Sequence, residues 1–213
     1  MQEFARIAIF PIPDMVTFPG TVVPLHVFEP RYRKMVEESV TKKQMIAVCN
    51  TEKQISPAKK NSSLQEVLTT NQATYQPRKI FGAGFCNPPE KTEDGRLFVT
   101  INIVQRYKLI EEIQTLPYRI AVCSELLDDS TDLATLLPLQ TQIVNSLAML
   151  ISLESPTQAN DFDRDSWLSV DPVSFSFKIF QLLRFDSETM QALLENTNPK
   201  QRLNIISAKL NQI

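Results

Sequence analysis

Proline decides what the first forty residues of this chain can become. Pro11, Pro13, Pro19, Pro24 and Pro30 fall within residues 7–40, which read IAIFPIPDMVTFPGTVVPLHVFEPRYRKMVEESV. Each proline fixes φ and removes a backbone donor, so no ordinary helix or central strand tolerates this spacing. Yet Ile7, Ile9, Phe10, Phe18, Val23 and Phe28 make the same stretch strongly apolar. Such a segment reads as a rigid ribbon of short edge strands and turns. It has to lie against a core, and the prolines prevent a sheet from covering all of its apolar surface.

The remaining length sets the scale of that core. At 213 residues the chain suffices for one large domain or two small ones and can bury a core without metal or disulfide staples. Its 43% hydrophobic and 22% charged residues are those of a soluble globular protein. A net charge of −2 supplies no electrostatic reason to seek nucleic acid or an anionic membrane. No apolar run is expected to approach the ~20 residues of a bilayer span, and the start, MQEFARIAIFPIPD, is a poor secretory signal. Cys49, Cys86 and Cys123 each end an apolar run, are odd in number and lie far apart. They read as small buried hydrophobes in a reducing cytoplasm, with no metal site, because close Cys pairs and histidine partners are missing.

The signals divide near residue 128. Arg6–Phe10 and Val22–Phe28 read as strands, Pro30 to about Val40 as a helix opened by proline at its first turn, and Met45–Cys49 as a short strand. Thr51–Lys79 is polar and reads as a long loop, with Ser63 and Glu66 spaced as a capping box ahead of a short helix. Residues 80–127 return to sheet. Gly82 and Gly84 suit a bulge or a close backbone approach. Leu97, Val99, Ile101 and Ile103 alternate with Phe98, Thr100 and Asn102, and a kink is expected at Gln105-Arg106. Residues 80–127 thus form an antiparallel meander. Beyond residue 132 the period becomes helical, with Asp171-Pro172 and Asn198-Pro199 as N-cap pairs, and four helices read as a bundle. The predicted architecture is α+β: a β-rich domain at 1–128 followed by a helical domain at 129–213.

Motifs for chemistry are missing. Four glycines (Gly20, Gly82, Gly84, Gly95) provide no phosphate-loop spacing, and neither G-x-S-x-G nor H-E-x-x-H occurs. The one imidazole, His26, sits opposite Leu25 and Val27 in the alternation and reads as a structural, hydrogen-bonded residue. No enzyme activity and no cofactor are expected.

The opening ribbon nonetheless carries a family resemblance. Phe10-Pro11-Ile12-Pro13, Phe18-Pro19-Gly20 and Pro24-Leu25-His26-Val27-Phe28-Glu29-Pro30-Arg31-Tyr32 resemble the start of the Lon protease N-terminal domain, especially in small stand-alone bacterial proteins built from that domain. The likeness continues at Gly82, Asp94-Gly95-Arg96-Leu97, Val104-Gln105-Arg106-Tyr107 and Leu116-Pro117-Tyr118-Arg119. It implies a PUA-like antiparallel β pseudobarrel followed by a helical bundle, and a role in recognising unfolded substrates, without ATPase or peptidase.

Function is therefore read as non-enzymatic binding of exposed apolar protein segments. Phe10, Phe18, Pro19, Val23, Phe28, Arg31 and Tyr32 are the candidate contacts. One copy should bind weakly, so self-association is expected. Two alternatives accompany this reading. One is an adapter docking on a protease or chaperone through residues 51–79. The other is RNA binding through Arg31, Arg33, Lys34, Lys42 and Lys43, which Glu29, Glu37 and Glu38 dilute.

Overall fold

A computed structural model describes residues 4–57, 71–154 and 161–212. The first half builds strands β1 (Phe4–Pro11), β2 (Val22–Val27), β3 (Ile46–Cys49), β6 (Ile80–Cys86), β7 (Glu90–Lys91), β8 (Leu97–Gln114) and β9 (Arg119–Glu125), with apolar alternation clearest in β2 and the first half of β8. The 18-residue β8 organises them. Its first half pairs with β2 and β7, its middle with β6, and its last third with β9. With β6, β3, β1 and β9 hydrogen-bonded in that order, the β8–β9 pairing closes a ring of five strands. The kink expected near Gln105 is a register shift at which Ala83 faces Gln105 but Gly84 faces Ile103. Glycine is needed there: a Cβ on Gly84 would lie 1.7 Å from the carbonyl oxygen of Asn102.

The sheet departs from a purely antiparallel barrel at one pair. β1 and β3 run parallel, with Ala8 beside Ile46 and Pro11 beside Cys49. Parallel neighbours need a crossover, and helix α1 (Pro30–Lys42) lies in that connection. Ile9, Cys49, Phe81, Tyr107, Ala121 and Cys123, drawn from every strand of the ring, form one buried cluster. The small side chains of Ala47, Ala83 and Ala121 suit its narrow interior. A second cluster lies on the outer side, where Tyr32, Met35 and Val36 of α1 cover Phe10, Val48 and Ile101. Full burial of an apolar side chain such as Met35 is worth ~1.5–3 kcal/mol.

Residues 51–56 and 74–77, expected inside a loop, are instead strands β4 (Thr51–Ser56) and β5 (Thr74–Pro77), which pair antiparallel as a separate two-stranded ribbon. β4 is exposed along nearly its whole length, so it carries no apolar alternation for sequence reasoning to detect. The capping box at Ser63 and Glu66 lies outside the described residues.

The helices are α2 (Leu137–Glu154), α3 (Arg164–Ser169), α4 (Pro172–Lys178), α5 (Ser187–Glu195) and α6 (Pro199–Leu210). The expected caps are formed: Asp171 accepts from the Ser174 N–H and Asn198 from the Gln201 N–H. The chain resolves into two compact units, Met1–Leu126 with Arg184–Leu194, and Leu127–Leu183 with Glu195–Ile213. Helix α5, which the periodicity groups with the other helices, thus belongs through Leu194 to the β-rich unit. There Gln191 donates to the Ile80 carbonyl and Arg106 to the Leu194 carbonyl. In the second unit the fully buried Arg202 binds both carboxylate oxygens of Asp128 at 2.6 and 2.7 Å, donates to Ser176, and lies over the Phe177 ring. By length and composition, residues Leu133–Leu153 are apolar enough to cross a membrane, contrary to expectation. Leu136, Ile143, Val144 and Leu147 of this segment are buried, but only 28% of its most apolar stretch is, and Leu137, Met149 and Leu153 are exposed.

Candidate functional site

Strand alternation decides which apolar residues of the opening ribbon can be reached. In β2, Val23 and Leu25 turn toward the outer core cluster and Val27 is buried in it, whereas Val22, Pro24 and His26 point outward. The register sets Val22 against Asn102, Pro24 against Thr100 and His26 against Phe98. On β8, Phe98 and Val104 share this outward face, and Phe85 on β6 lies beside Asn102. Phe98 remains 49% exposed.

Together these residues form an apolar surface with a furrow. A groove of about 370 Å³ is lined by Pro24, His26, Pro88, Glu90, Phe98 and Thr100, with Leu25 and Val99 completing it. The His26 imidazole stacks on the Phe98 ring at 4.4 Å, with the planes 10° apart. His26, expected to be a hydrogen-bonded structural residue, is instead exposed and held by this ring stack. Among the described residues, Glu90 is the groove's only carboxylate. Beside it, Asn87 donates to the Thr100 hydroxyl and Asn102 donates to the Asn87 side chain, which fixes the polar border. The lining suits apolar side chains flanked by amide groups. Among the described residues no set of His, Cys, Asp and Glu side chains is arranged to hold a metal.

The ribbon's own candidates are placed differently from expectation. Phe10, Phe18 and Tyr32 are only 8%, 1% and 6% exposed. Phe10 and Tyr32 stack on each other at 4.1 Å under α1, and burial pushes the Tyr32 phenol up to about 12. These three rings are core and are withdrawn as contacts. Val23 packs against the same core, while Pro19 and Phe28 are half-buried. Pro19 precedes Gly20, whose φ of 78° permits the turn that sends its N–H to the Ile103 carbonyl.

Arg31 is engaged inside the protein. It pairs with Glu29 at 2.9 Å and donates to the Ala73 carbonyl and the Thr74 hydroxyl. Glu29 in turn accepts from the Gln72 N–H. The two side chains clasp residues 72–74 to the start of α1. Of the remaining basic cluster, Arg33 donates to the Gly95 carbonyl and two lysines are answered by acid. Lys34 and Lys42 both pair with Glu38, whose carboxyl is held below its usual range by hydrogen bonds from Lys42 and Tyr118. An RNA-binding patch would need these charges free for phosphates. The buried Cys49 and Cys123 thiols and the half-buried Cys86 are all pushed above their usual range, by burial first in each case.

The signal for the accessible face was already in the sequence. Phe98, Thr100 and Asn102 read as the far side of the alternating strand, and His26 as opposite Leu25. What was missing was the pairing of β2 with β8, which brings those two outward rows together.

Three comparisons place this architecture. Residues 6–212 match the ATP-dependent protease La (LON) substrate-binding domain. The chain is 24% identical over 215 residues to Lon protease 1 of Herpetosiphon aurantiacus, covering 98% of this chain and spanning about a quarter, 24%, of that relative's length. Its fold matches the Lon N-terminal domain protein from Xanthomonas campestris (TM-score 0.63, 18% identity, 96% of this chain and 98% of that one). It also matches the N-terminal domain of Mycobacterium avium complex Lon protease (TM-score 0.68, 10% identity, 97% and 98%). A match running through both the closed β ring and the helices that follow it settles the family: the chain belongs to the Lon substrate-binding domain family.

Proposed function

We propose that this protein is a non-enzymatic recognition module that holds exposed apolar segments of other polypeptides against the outward face of β2 and β8. The observation that carries the reading is the surface of Val22, Pro24, His26, Phe85, Phe98 and Val104 around the groove, in a chain of the substrate-binding family. Contiguous accessible apolar surface of this kind marks interaction sites. Covering two client side chains would contribute ~3–6 kcal/mol, and lost motional freedom offsets much of it. A single copy should bind in the micromolar to millimolar range, so useful capture calls for several copies or a linked second site. Free cysteines are consistent with a reducing cytoplasm as its location.

The test is a titration of the full chain with a reduced, carboxymethylated, permanently unfolded polypeptide, followed by fluorescence anisotropy. Saturable binding that competes with short apolar peptides is the expected result. Absence of binding at high micromolar concentration refutes the reading.

A further inference from the structure

The edge of β2 carries an inference that deepens the proposed binding reading and rests on it. β2 ends the hydrogen-bonded order, and among the described residues no strand pairs with its other side. Antiparallel pairs alternate between those that exchange backbone bonds and those that do not. The Ile103 N–H donates to the Thr21 carbonyl, so the odd-numbered residues Val23, Leu25 and Val27 exchange bonds with β8. Val22, Pro24 and His26 therefore direct their backbone groups away from the sheet. Pro24 agrees with this parity, because a proline without an N–H is tolerated only at the open side of an edge strand.

Three features separate this edge from an ordinary blunted one. Natural edges are commonly protected by charged side chains or by proline; β4 carries Glu52 and Lys53, whereas β2 has only Pro24. β2 has no residue of permanent charge. Val23 and Leu25 pack against the core cluster yet stay partly exposed, because the sheet stops at β2 and leaves the rim of that core open. The outward side chains beside the edge belong to the apolar face already described.

We infer that β2 accepts an additional strand: an extended, uncharged segment of an unfolded polypeptide pairs along Val22–His26. Side chains on one face of the added strand continue the surface of Val22, Pro24 and His26, and those on the other cover the rim at Val23 and Leu25. Main-chain bonds supply sequence-independent affinity and the flanking side chains supply apolar preference. A second copy of β2 is the poorer occupant. Antiparallel self-pairing centred on residue 24 sets one proline against the other and removes both donors of the central pair.

Backbone amide exchange on the full chain, followed by NMR with and without a blocked nonapeptide of alternating valine and serine at saturating concentration, tests the proposal. The Val22 and His26 amides should slow by about tenfold or more on binding, while Val23 and Leu25, already bonded to β8, change little. The same peptide with every amide N-methylated keeps its side chains and should not bind. Saturable binding of both peptides with unchanged Val22 and His26 exchange overturns strand addition and leaves the binding face intact. No saturable binding of any peptide or unfolded polypeptide overturns the functional reading as well. Protection of Val22 and His26 in concentrated protein alone makes a second copy the occupant and also overturns the proposal.

Discussion

Truncation of Phe98 to alanine is the sharpest test of the binding face. Phe98 lines the groove and keeps 49% of its surface exposed, roughly 100 Å² for a phenylalanine. If a client covers all of it, the contact contributes about 2.5 kcal/mol at ~25 cal/mol per Å², which is about 60-fold in affinity. Partial coverage still predicts about tenfold. The loss falls on the complex, since half of the ring is in water in the free protein and its truncation should cost the fold only about 1 kcal/mol. Anisotropy with the unfolded polypeptide measures the affinity, and urea unfolding verifies that the domain is intact. Leu116→Ser removes an 81% exposed apolar side chain that lies outside the groove lining, and should leave binding unchanged. A folded Phe98→Ala variant binding within twofold of the unmodified protein would refute the assignment.

Other parts of the structure make equally concrete predictions. Arg31→Ala should leave affinity within twofold but speed amide exchange at residues 72–74, because its bonds run to Ala73, Thr74 and Glu29; a large affinity loss with unchanged exchange would return Arg31 to the client site. Arg202→Ala breaks a pair with a fully buried guanidinium and should destabilise the helical unit by about 3 kcal/mol, read from the fluorescence of the chain's one tryptophan, Trp167, during urea unfolding; a loss below about 1 kcal/mol counts against that account. At pH 8 a thiol reagent should modify only Cys86, and slowly, since burial lifts it to about 11, whereas denaturant should release all three thiols. Pro24→Val restores an edge donor, and two added bonds of about 1 kcal/mol each would raise a self-pairing constant ~30-fold. Sedimentation velocity showing no greater association than the parent would contradict the stated geometry of β2.

Local chemistry and tertiary chemistry were unequally visible in the sequence. The strands at residues 6–10 and 22–28, and the runs 96–104 and 107–113 that form one strand, could be read because alternation and proline placement are local properties, although β1 is paired on both sides and is not the edge strand expected. The face of Phe98 could be read for the same reason. The depth of Phe10 could not, because it depends on α1 crossing the sheet and laying Tyr32 on its ring. Arg31 looked available because its partners lie at residues 73 and 74, beyond a segment with no periodic signal. Helix α5 carries an ordinary amphipathic stripe, and its place in the β-rich unit is set by Gln191 reaching the Ile80 carbonyl and by Arg106 reaching Leu194. Contacts spanning about a hundred residues leave no spacing rule to detect.

If β2 accepts a strand, Pro24 has a role different from simple exposure. A closed ring removes strand edges, and β8 is long enough to close this one while still carrying β2 outside it. That surplus strand is where an unfolded chain would find free backbone groups, and also where two copies of the protein would find each other. Charge is the usual guard at such an edge, but it would repel apolar clients as effectively as it prevents aggregation. Proline distinguishes the two. A foreign strand facing Pro24 forgoes one donor, whereas a second β2 centred there forgoes two. An edge guarded by a missing N–H can stay apolar and open to clients while remaining a poor template for itself.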